Sequence, residues 1–477
     1  MNWETVIGLE THVELATKTK IFCSCTTEFG GAPNTHCCPV CTGMPGTLPV
    51  LNGKVVEYAV RAGLATGCRI TRYSKFDRKN YFYPDLPKAY QVSQLYLPIA
   101  RDGAVAFQTE AGEKMVRIHE LHMEEDAGKL VHDPWLDLTR ADYNRCGVPL
   151  IEIVTEPDFR TADEVIAYVE TLRSILEYLG VSDCKMQEGS LRCDVNLSVR
   201  PVGAKELGTR SELKNLNSLK AIRRAIEYEK TRQIEVLEEG GRVIQETRRW
   251  DDNKDATFSM RSKEDAQDYR YFPEPDLPPL RLSEEYLAGL RSSQPEMAGA
   301  RKARYMVQFG LPACDAEQIT REKALVDFFE EALALGAPAK EVSNWMLGDL
   351  MRRLKDEDVE ARRMALTPGN LAALIRLIED GRINRNTASK VFRAVFADNT
   401  DVVEYVTAHG LEQIRDAGFV SETVKKVLEE HPNSVDDYRN GKEKAFGFLV
   451  GQVMKALKGK GDPQAIHQVL KTQLDQG

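Results

Sequence analysis

Five of the ten cysteines in this chain fall between Cys23 and Cys41, and no other feature restricts the local fold so tightly. The cluster reads Cys23-Ser-Cys25, a short excursion to Cys37, then Cys38-Pro-Val-Cys41 followed by Thr42-Gly43. Two close cysteine pairs flanking a loop can wrap one tetrahedral Zn²⁺, because four thiolates at about 2.3 Å satisfy the ion and leave no position for water. Such a site is structural. Cys38-Pro-Val-Cys41 has the usual two-residue spacing, with Gly43 and Gly46 supplying turns behind it. Cys23-x-Cys25 is tighter than usual, which keeps Cys37 open as a substitute ligand. A disulfide is the competing reading, and it needs an oxidising compartment. Nothing at the N-terminus resembles a signal peptide, so zinc and a cytoplasmic location are expected. Cys68, Cys146, Cys184 and Cys314 stand alone and are expected to pack as small apolar groups.

A chain of 477 residues is too long for one hydrophobic core and predicts two to four domains. It contains no 18-residue apolar run, which excludes a membrane-spanning helix. The net charge of −9 means that any nucleic acid must be held by local basic patches. Thr5 to Leu15 alternates, with Ile7, Leu9, Val13 and Leu15 on one face and Glu10, His12 and Glu14 on the other. Leu191 to Val199 alternates in the same way. Thr161 and Glu164 form a capping box for a helix that Gly180 ends, and a second helix runs from about Ser218 to Glu239. A proline-rich border, Phe272 to Pro279, closes this mixed region. Beyond about residue 283 almost every pattern is helical, with Thr367-Pro368 as one clear start. The fold class is therefore α+β with antiparallel strands, followed by all-α segments.

No phosphate-binding loop of the G-x-x-x-x-G-K-[ST] type, dinucleotide fingerprint or G-x-S-x-G elbow occurs in the chain. Acidic residues presented by strands offer the better site. Glu10 and His12 project from one strand face. Glu124-Glu125-Asp126 adds a second cluster, and Asp194 and Glu212 supply two more carboxylates. Carboxylates with one imidazole suit Mg²⁺ or Mn²⁺, whose usual partners are nucleotide phosphates. The segment Asp77-Arg-Lys79-Asn80-Tyr-Phe-Tyr-Pro-Asp85 is dense in cations and aromatics that can hold phosphates or stack a base; a packed aromatic anchor reads equally well. Residues 441–460 carry five lysines against Glu443, a local +4 suited to a phosphate backbone or to a solvated helix face.

Read together, these segments resemble the B subunits of the glutamyl/aspartyl-tRNA amidotransferases. The match is carried by Val6-Ile-Gly-Leu-Glu10-Thr-His12-Val-Glu14-Leu, Phe76-Asp-Arg-Lys-Asn-Tyr-Phe-Tyr-Pro-Asp85 and Leu121-His-Met-Glu-Glu-Asp-Ala-Gly-Lys129. It continues through Gly189-Ser-Leu-Arg-Cys-Asp194-Val-Asn, Glu212-Leu-Lys-Asn-Leu-Asn217, Tyr269-Arg-Tyr-Phe-Pro-Glu-Pro275 and Gly447-Phe-Leu-Val-Gly451. The resemblance implies a ligase that uses ATP to phosphorylate the side-chain carboxylate of Glu on tRNA(Gln), or of Asp on tRNA(Asn). Ammonia from glutamine then displaces the phosphate. It implies a heterotrimer with an amidase (glutaminase) partner and a small third member, and an encounter with a glutamyl- or aspartyl-tRNA synthetase. By motif, His12, Glu125 and Glu212 are expected as first Mg²⁺ ligands, and Glu10, Glu124 and Asp194 at a second ion or its water shell. Lys79, Asn80, Ser190 and Arg192 are expected at ATP phosphates, and Cys23, Cys25, Cys38 and Cys41 at zinc. The implied architecture is a cradle-shaped catalytic domain (1–292), a helical domain (293–405) and a tail that reads tRNA (406–477). Two rivals remain: a zinc-containing tRNA-binding module without catalysis, and a metal-dependent nuclease. Neither would form an amide bond with ATP.

Overall fold

Strand β1 (Trp3–Glu14) alternates between buried and part-exposed residues from Leu9 to Glu14, whereas Thr5 to Leu9 are buried without a break; everything else in the first half is arranged around it. The computed structural model describes residues 2–133, 135–262, 268–413, 417–457 and 461–476. They divide into two compact units, Met1–Ala298 and Gly299–Gly477.

The first unit is built on a nine-stranded sheet. Its other strands are β2 (Arg69–Ile70), β3 (Ala100–Thr109), β4 (Gly112–Glu125), β5 (Pro149–Thr155), β6 (Leu191–Pro201), β7 (Ser211–Lys214), β8 (Glu246–Asp251) and β9 (Ala256–Ser262). Their spatial order is β9-β8-β7-β6-β1-β5-β4-β3-β2, which puts β1 at the centre. All neighbours are antiparallel except β7 and β8, which run parallel. Helices α1 (Gly53–Ala65), α2 (Ala162–Leu179) and α3 (Leu219–Glu238) cover one face, α1 against β3 and β4, α2 against β3 and α3 against β6. That face is apolar: Ile7, Leu9 and Val13 of β1 join Ile151, Ile153, Val195, Leu197, Val165 and Leu172 in one core.

The helix signals act as their chemistry dictates. Thr161 accepts from the Glu164 amide at 3.2 Å, and Gly180 closes α2 at φ 67°, a conformation that costs glycine little. The reciprocal half of the capping box is displaced by one residue, because Glu164 accepts from the Arg160 amide at 2.6 Å and not from Thr161. Ser218 caps α3 by accepting from Ala221 at 3.0 Å. Cys68, Cys146 and Cys184 are buried, whereas Cys314 is exposed: it opens a short helix (Ala313–Thr320) on the solvent side, next to Asp315. That corrects the expectation that all four would pack inside.

A β-bulge in β4 sets up the site. Pairing with β5 jumps from Val154–Glu120 to Thr155–Ile118, leaving His119 as the extra residue. Before it the even-numbered Val116 and Ile118 enter the core; after it the odd-numbered Leu121 and Met123 do. The flip sends Glu120, His122 and Glu124 to the polar face. Since the irregularity lies upstream of 124–125, Glu124 and Glu125 point to opposite sides.

The second unit is helical throughout its described length. One core runs from Tyr305 to Val406, and another from Val420 to Leu474. Val406, where the tail was expected to begin, packs in the first of these. No described helix is long and apolar enough to cross a membrane.

Candidate metal and phosphoryl-transfer site

The polar face of the sheet carries its acids in rows set by register. Across one row lie Arg192 (β6), His12 (β1), Glu152 (β5) and His122 (β4), each directly paired with the next. Along the next, Asp194 of β6 lies opposite Glu10 of β1, while Glu212 of β7 lies opposite Asn196. Two groups of donor atoms result, each with all its atoms within 4.8 Å of one another: His12, Glu124 and Glu152, and Glu10, Asp194 and Glu212.

In the first group His12 Nε2 lies 3.6 Å from Glu124 Oε1 and 3.5 Å from Glu152 Oε2. His122 Nε2 backs Glu152 at 2.9 Å. Burial opposes charge on His122, but Glu152, Glu120 and Glu124 outweigh it and hold the imidazole protonated well above its usual range. Burial likewise opposes ionisation of Glu152, and His122, His12 and Lys79 reverse that effect, so this carboxylate stays ionised. Lys79 thus acts on the same row, its ammonium 4.9 Å from the Tyr269 ring centre. Burial, with Asp85 and Glu124 adding, raises the Tyr81 phenol; burial and Glu124 do the same to Tyr271. These phenols are therefore neutral beside an anionic cluster.

In the second group Lys214 Nζ binds Asp194 Oδ2 at 2.5 Å and Glu212 Oε1 at 2.9 Å. Asn196 donates to Glu10 at 2.8 Å. Burial, then the charge of Glu152, raises Glu10. Beside this group opens a cavity of about 430 Å³, lined by Gly8, Glu10, Asn196, Ser198, Thr209 and Arg210 among others.

The grouping differs from the expected one. Glu125 does not join His12 and Glu212. Its carboxylate accepts from Lys88 and, at 2.9 Å, from the Val92 amide, on the side away from His12. Glu212 belongs with Glu10 and Asp194. Glu152 and His122 were missed by sequence reading, although one signal was there: Glu152 is the lone acid inside the apolar run Leu150-Ile-Glu-Ile-Val154. Arg192 pairs with Asp126 at 2.8 Å, and Ser190 donates to Asp183 at 2.6 Å while accepting from the Lys185 amide at 2.7 Å. Asn80 donates to the Arg270 carbonyl at 2.8 Å. Those three side chains already serve the protein's own structure. Glu14, on the same face as His12, is pushed up to about 8 by burial and by Asp126.

Apart from this face, Cys23, Cys25, Cys38 and Cys41 bring four sulfurs within 4.8 Å of one another. The turn Cys38–Gly43 is held by the Cys38 amide donating to Cys41 Sγ at 3.1 Å and by the Gly43 amide donating to the Val40 carbonyl at 3.1 Å. Gly43, at φ 68°, leaves room for Lys88, whose Cγ would sit 2.4 Å from a Cβ there. The Cys23 thiol, donating to Cys41, pulls Cys41 down to about 4 and is itself pushed up. Burial raises Cys25 to about 11. Cys37 stands outside the group, with its Sγ at 3.3 Å from the Asn34 carbonyl. An all-sulfur set of four fits a soft, tetrahedral ion.

A nine-stranded sheet thus carries helices on one face and two acid clusters able to hold metal ions on the other. The family described as the GatB/GatE catalytic domain matches residues 5–288, and the GatB domain matches residues 327–474. The chain is 61% identical to the aspartyl/glutamyl-tRNA(Asn/Gln) amidotransferase B subunit of Lachnoclostridium phytofermentans, over 98% of each chain. It is 60% identical to the protein of that name from Agathobacter rectalis, over 98% of this chain and 99% of the relative. Against that of Caldicellulosiruptor saccharolyticus it is 56% identical over the full length of both. The chain belongs to the family of aspartyl/glutamyl-tRNA amidotransferase B subunits.

Proposed function

We propose that this chain activates the side-chain carboxylate of Glu-tRNA(Gln), Asp-tRNA(Asn) or both by ATP-dependent phosphorylation. Ammonia from a partner amidase, assembled with this chain and a small third protein, then completes the amide. The observation that supports this best is the pair of donor clusters hung from adjacent same-face positions of β1, beside a cavity on the polar face. A carboxylate is a poor electrophile; its oxygen attacks the γ-phosphorus of ATP, the bond to the β-phosphate oxygen breaks, and ADP leaves. Ammonia then adds to the acyl carbon, inorganic phosphate departs with the C–O bonding pair, and the surplus proton on nitrogen passes to that phosphate.

His12, Glu124 and Glu152 form one metal-binding set in this reading, and Glu10, Asp194 and Glu212 the other. The hard oxygen donors suit Mg²⁺ or Mn²⁺. Bound there, such an ion supplies charge neutralisation for the phosphates. Lys79 is the cation placed to meet a phosphate near the first set. Arg192, Ser190 and Asn80 orient neighbouring loops. The four cysteines hold structural zinc.

The assembled complex, given misacylated Glu-tRNA(Gln), ATP and an ammonium salt, is expected to form Gln-tRNA(Gln), and to stop when ATP is withheld. tRNA binding without chemistry would favour a binding module, and tRNA cleavage a nuclease; either result overturns the reading.

The helices from Ala417 to Gln476 are proposed to bind tRNA. Lys444 and Lys455 are exposed there, whereas Lys442 pairs with Asp437 at 2.7 Å. Lys458 and Lys460, also expected to contact tRNA, lie outside the described residues. Truncation before Ala417 spares Val406 in the preceding core, and is expected to raise KM for aminoacyl-tRNA by about tenfold or more as phosphate contacts are lost. Unchanged KM would make this segment an assembly element.

A further inference from the structure

We infer that the buried ammonium of Lys20 is the counter-ion of a dianionic metal–tetrathiolate centre, an inference that rests on the zinc reading above. Lys20 is fully buried, which is rare for a lysine without an anionic partner. Its Nζ donates to the His36 carbonyl at 2.7 Å and faces Cys41 Sγ at 3.7 Å. Among the described residues no carboxylate forms an ion pair with it; Glu125, which lines the same cavity, pairs with Lys88 instead. A buried charge without a counter-charge is costly, so buried charges are as a rule paired or set beside a metal centre.

The backbone holds Lys20 in that position from both sides. Its amide donates to the Cys25 carbonyl at 3.0 Å, and the next amide, Ile21, donates to Gly147 at 2.9 Å. Gly147 has φ 79°, and a Cβ there would lie 3.6 Å from the Cys41 Cβ, 3.7 Å from the Lys20 Cδ and 3.9 Å from Glu125 Oε2. The lysine stem is thus packed between the cysteine turn and the Gly147 turn, and its charged end reaches one of the four sulfurs, Cys41 Sγ.

Two disulfides would leave this ammonium facing no anion, and the empty site offers it at most one thiolate, that of Cys41. Four thiolates around one divalent ion carry a net charge of −2, delocalised over the sulfurs, and Lys20 halves it. The lysine therefore favours the metal-loaded state over the empty one. It is a positioning and charge-balancing residue, not a ligand: the four sulfurs complete the tetrahedron without it.

The test measures zinc affinity of the full chain by competition with a chromophoric chelator, for the wild type, Lys20→Gln, Lys20→Met and Lys20→Arg. Lys20→Gln removes the charge and keeps an N–H donor on a stem one bond shorter, and Lys20→Met removes the charge at nearly the full length. Both neutral variants are expected to bind zinc about 10- to 100-fold more weakly, the range for groups that support metal ligands, while Lys20→Arg stays closer to the wild type. Melting temperatures with and without zinc give the second readout. The gap between wild type and Lys20→Gln should widen on zinc loading, by the linkage between binding and stability. Equal affinity in wild type and Lys20→Gln, or a gap that zinc does not change, overturns the inference and leaves Lys20 as a packing element. A wild type that binds no zinc overturns the zinc reading itself, which is a different result.

Discussion

Glu152→Gln is expected to remove ATP-dependent amidation by the complex, even with ammonium salt supplied in place of glutamine, while the protein still folds. The substitution is isosteric and keeps β5 in register, so Ile151 and Ile153 remain in the core. What it removes is the negative charge between His12 and His122, 3.5 Å from one ring nitrogen and 2.9 Å from the other. The donor set with His12 and Glu124 then loses one of its two anions. Loss of one preorganised electrostatic contact costs about 10²- to 10³-fold in turnover. Glutamine hydrolysis by the partner amidase should persist. Rates near wild type with free ammonia would place the chemistry elsewhere, whatever the variant does to stability.

Zinc removal is the second large effect expected. Protein purified without chelators should carry one zinc per chain, and Cys41→Ser or Cys23→Ser should carry almost none. Thiolate coordination is folding free energy, on the order of 10 kcal/mol or more in isolated zinc modules, so loss of the ion loosens the segment it closes. Amide exchange should therefore speed up across residues 20–45, while β1 and β5, paired over five residue positions, keep their protection. Cys37→Ser should retain zinc, since that sulfur turns to the Asn34 carbonyl. The opposite pattern, zinc lost in Cys37→Ser and kept in Cys23→Ser, would show that the ligand set is a different one.

Much of this was written plainly in local patterns. The alternation of Thr5 to Leu15 gave β1 and its two faces, and the caps at Thr161, Ser218 and Thr367 gave helix starts, because each depends on a few neighbouring residues. The cysteine spacing named the same four sulfurs that the fold brings together. The grouping of acids was not legible in the same way. Which carboxylate meets His12 depends on strand order and register across β4, β5 and β1, and no local pattern encodes either. The bulge at His119 decided that Glu124, and not its neighbour Glu125, faces His12. Glu152 escaped notice because a single acid in an apolar strand reads as an interruption until its neighbours are known. In sequence Arg192 reads as a phosphate ligand because its partner, Asp126, sits on a distant segment, and Ser190 because the fold of its own loop onto Asp183 leaves no local pattern.

Placing Glu10 and His12 two residues apart on β1 makes that strand a ruler. Same-face neighbours on an extended backbone are separated by about 6.8 Å, twice the rise per residue, and no loop or hinge can alter that spacing. The two donor clusters are therefore locked to a fixed pitch at their common root, and a substrate spanning them must match that length. Evolution or design can retune the outer donors on β4, β5, β6 and β7 one at a time. The pitch itself changes only in whole steps, since a one-residue shift in β1 would turn both anchors into the apolar core.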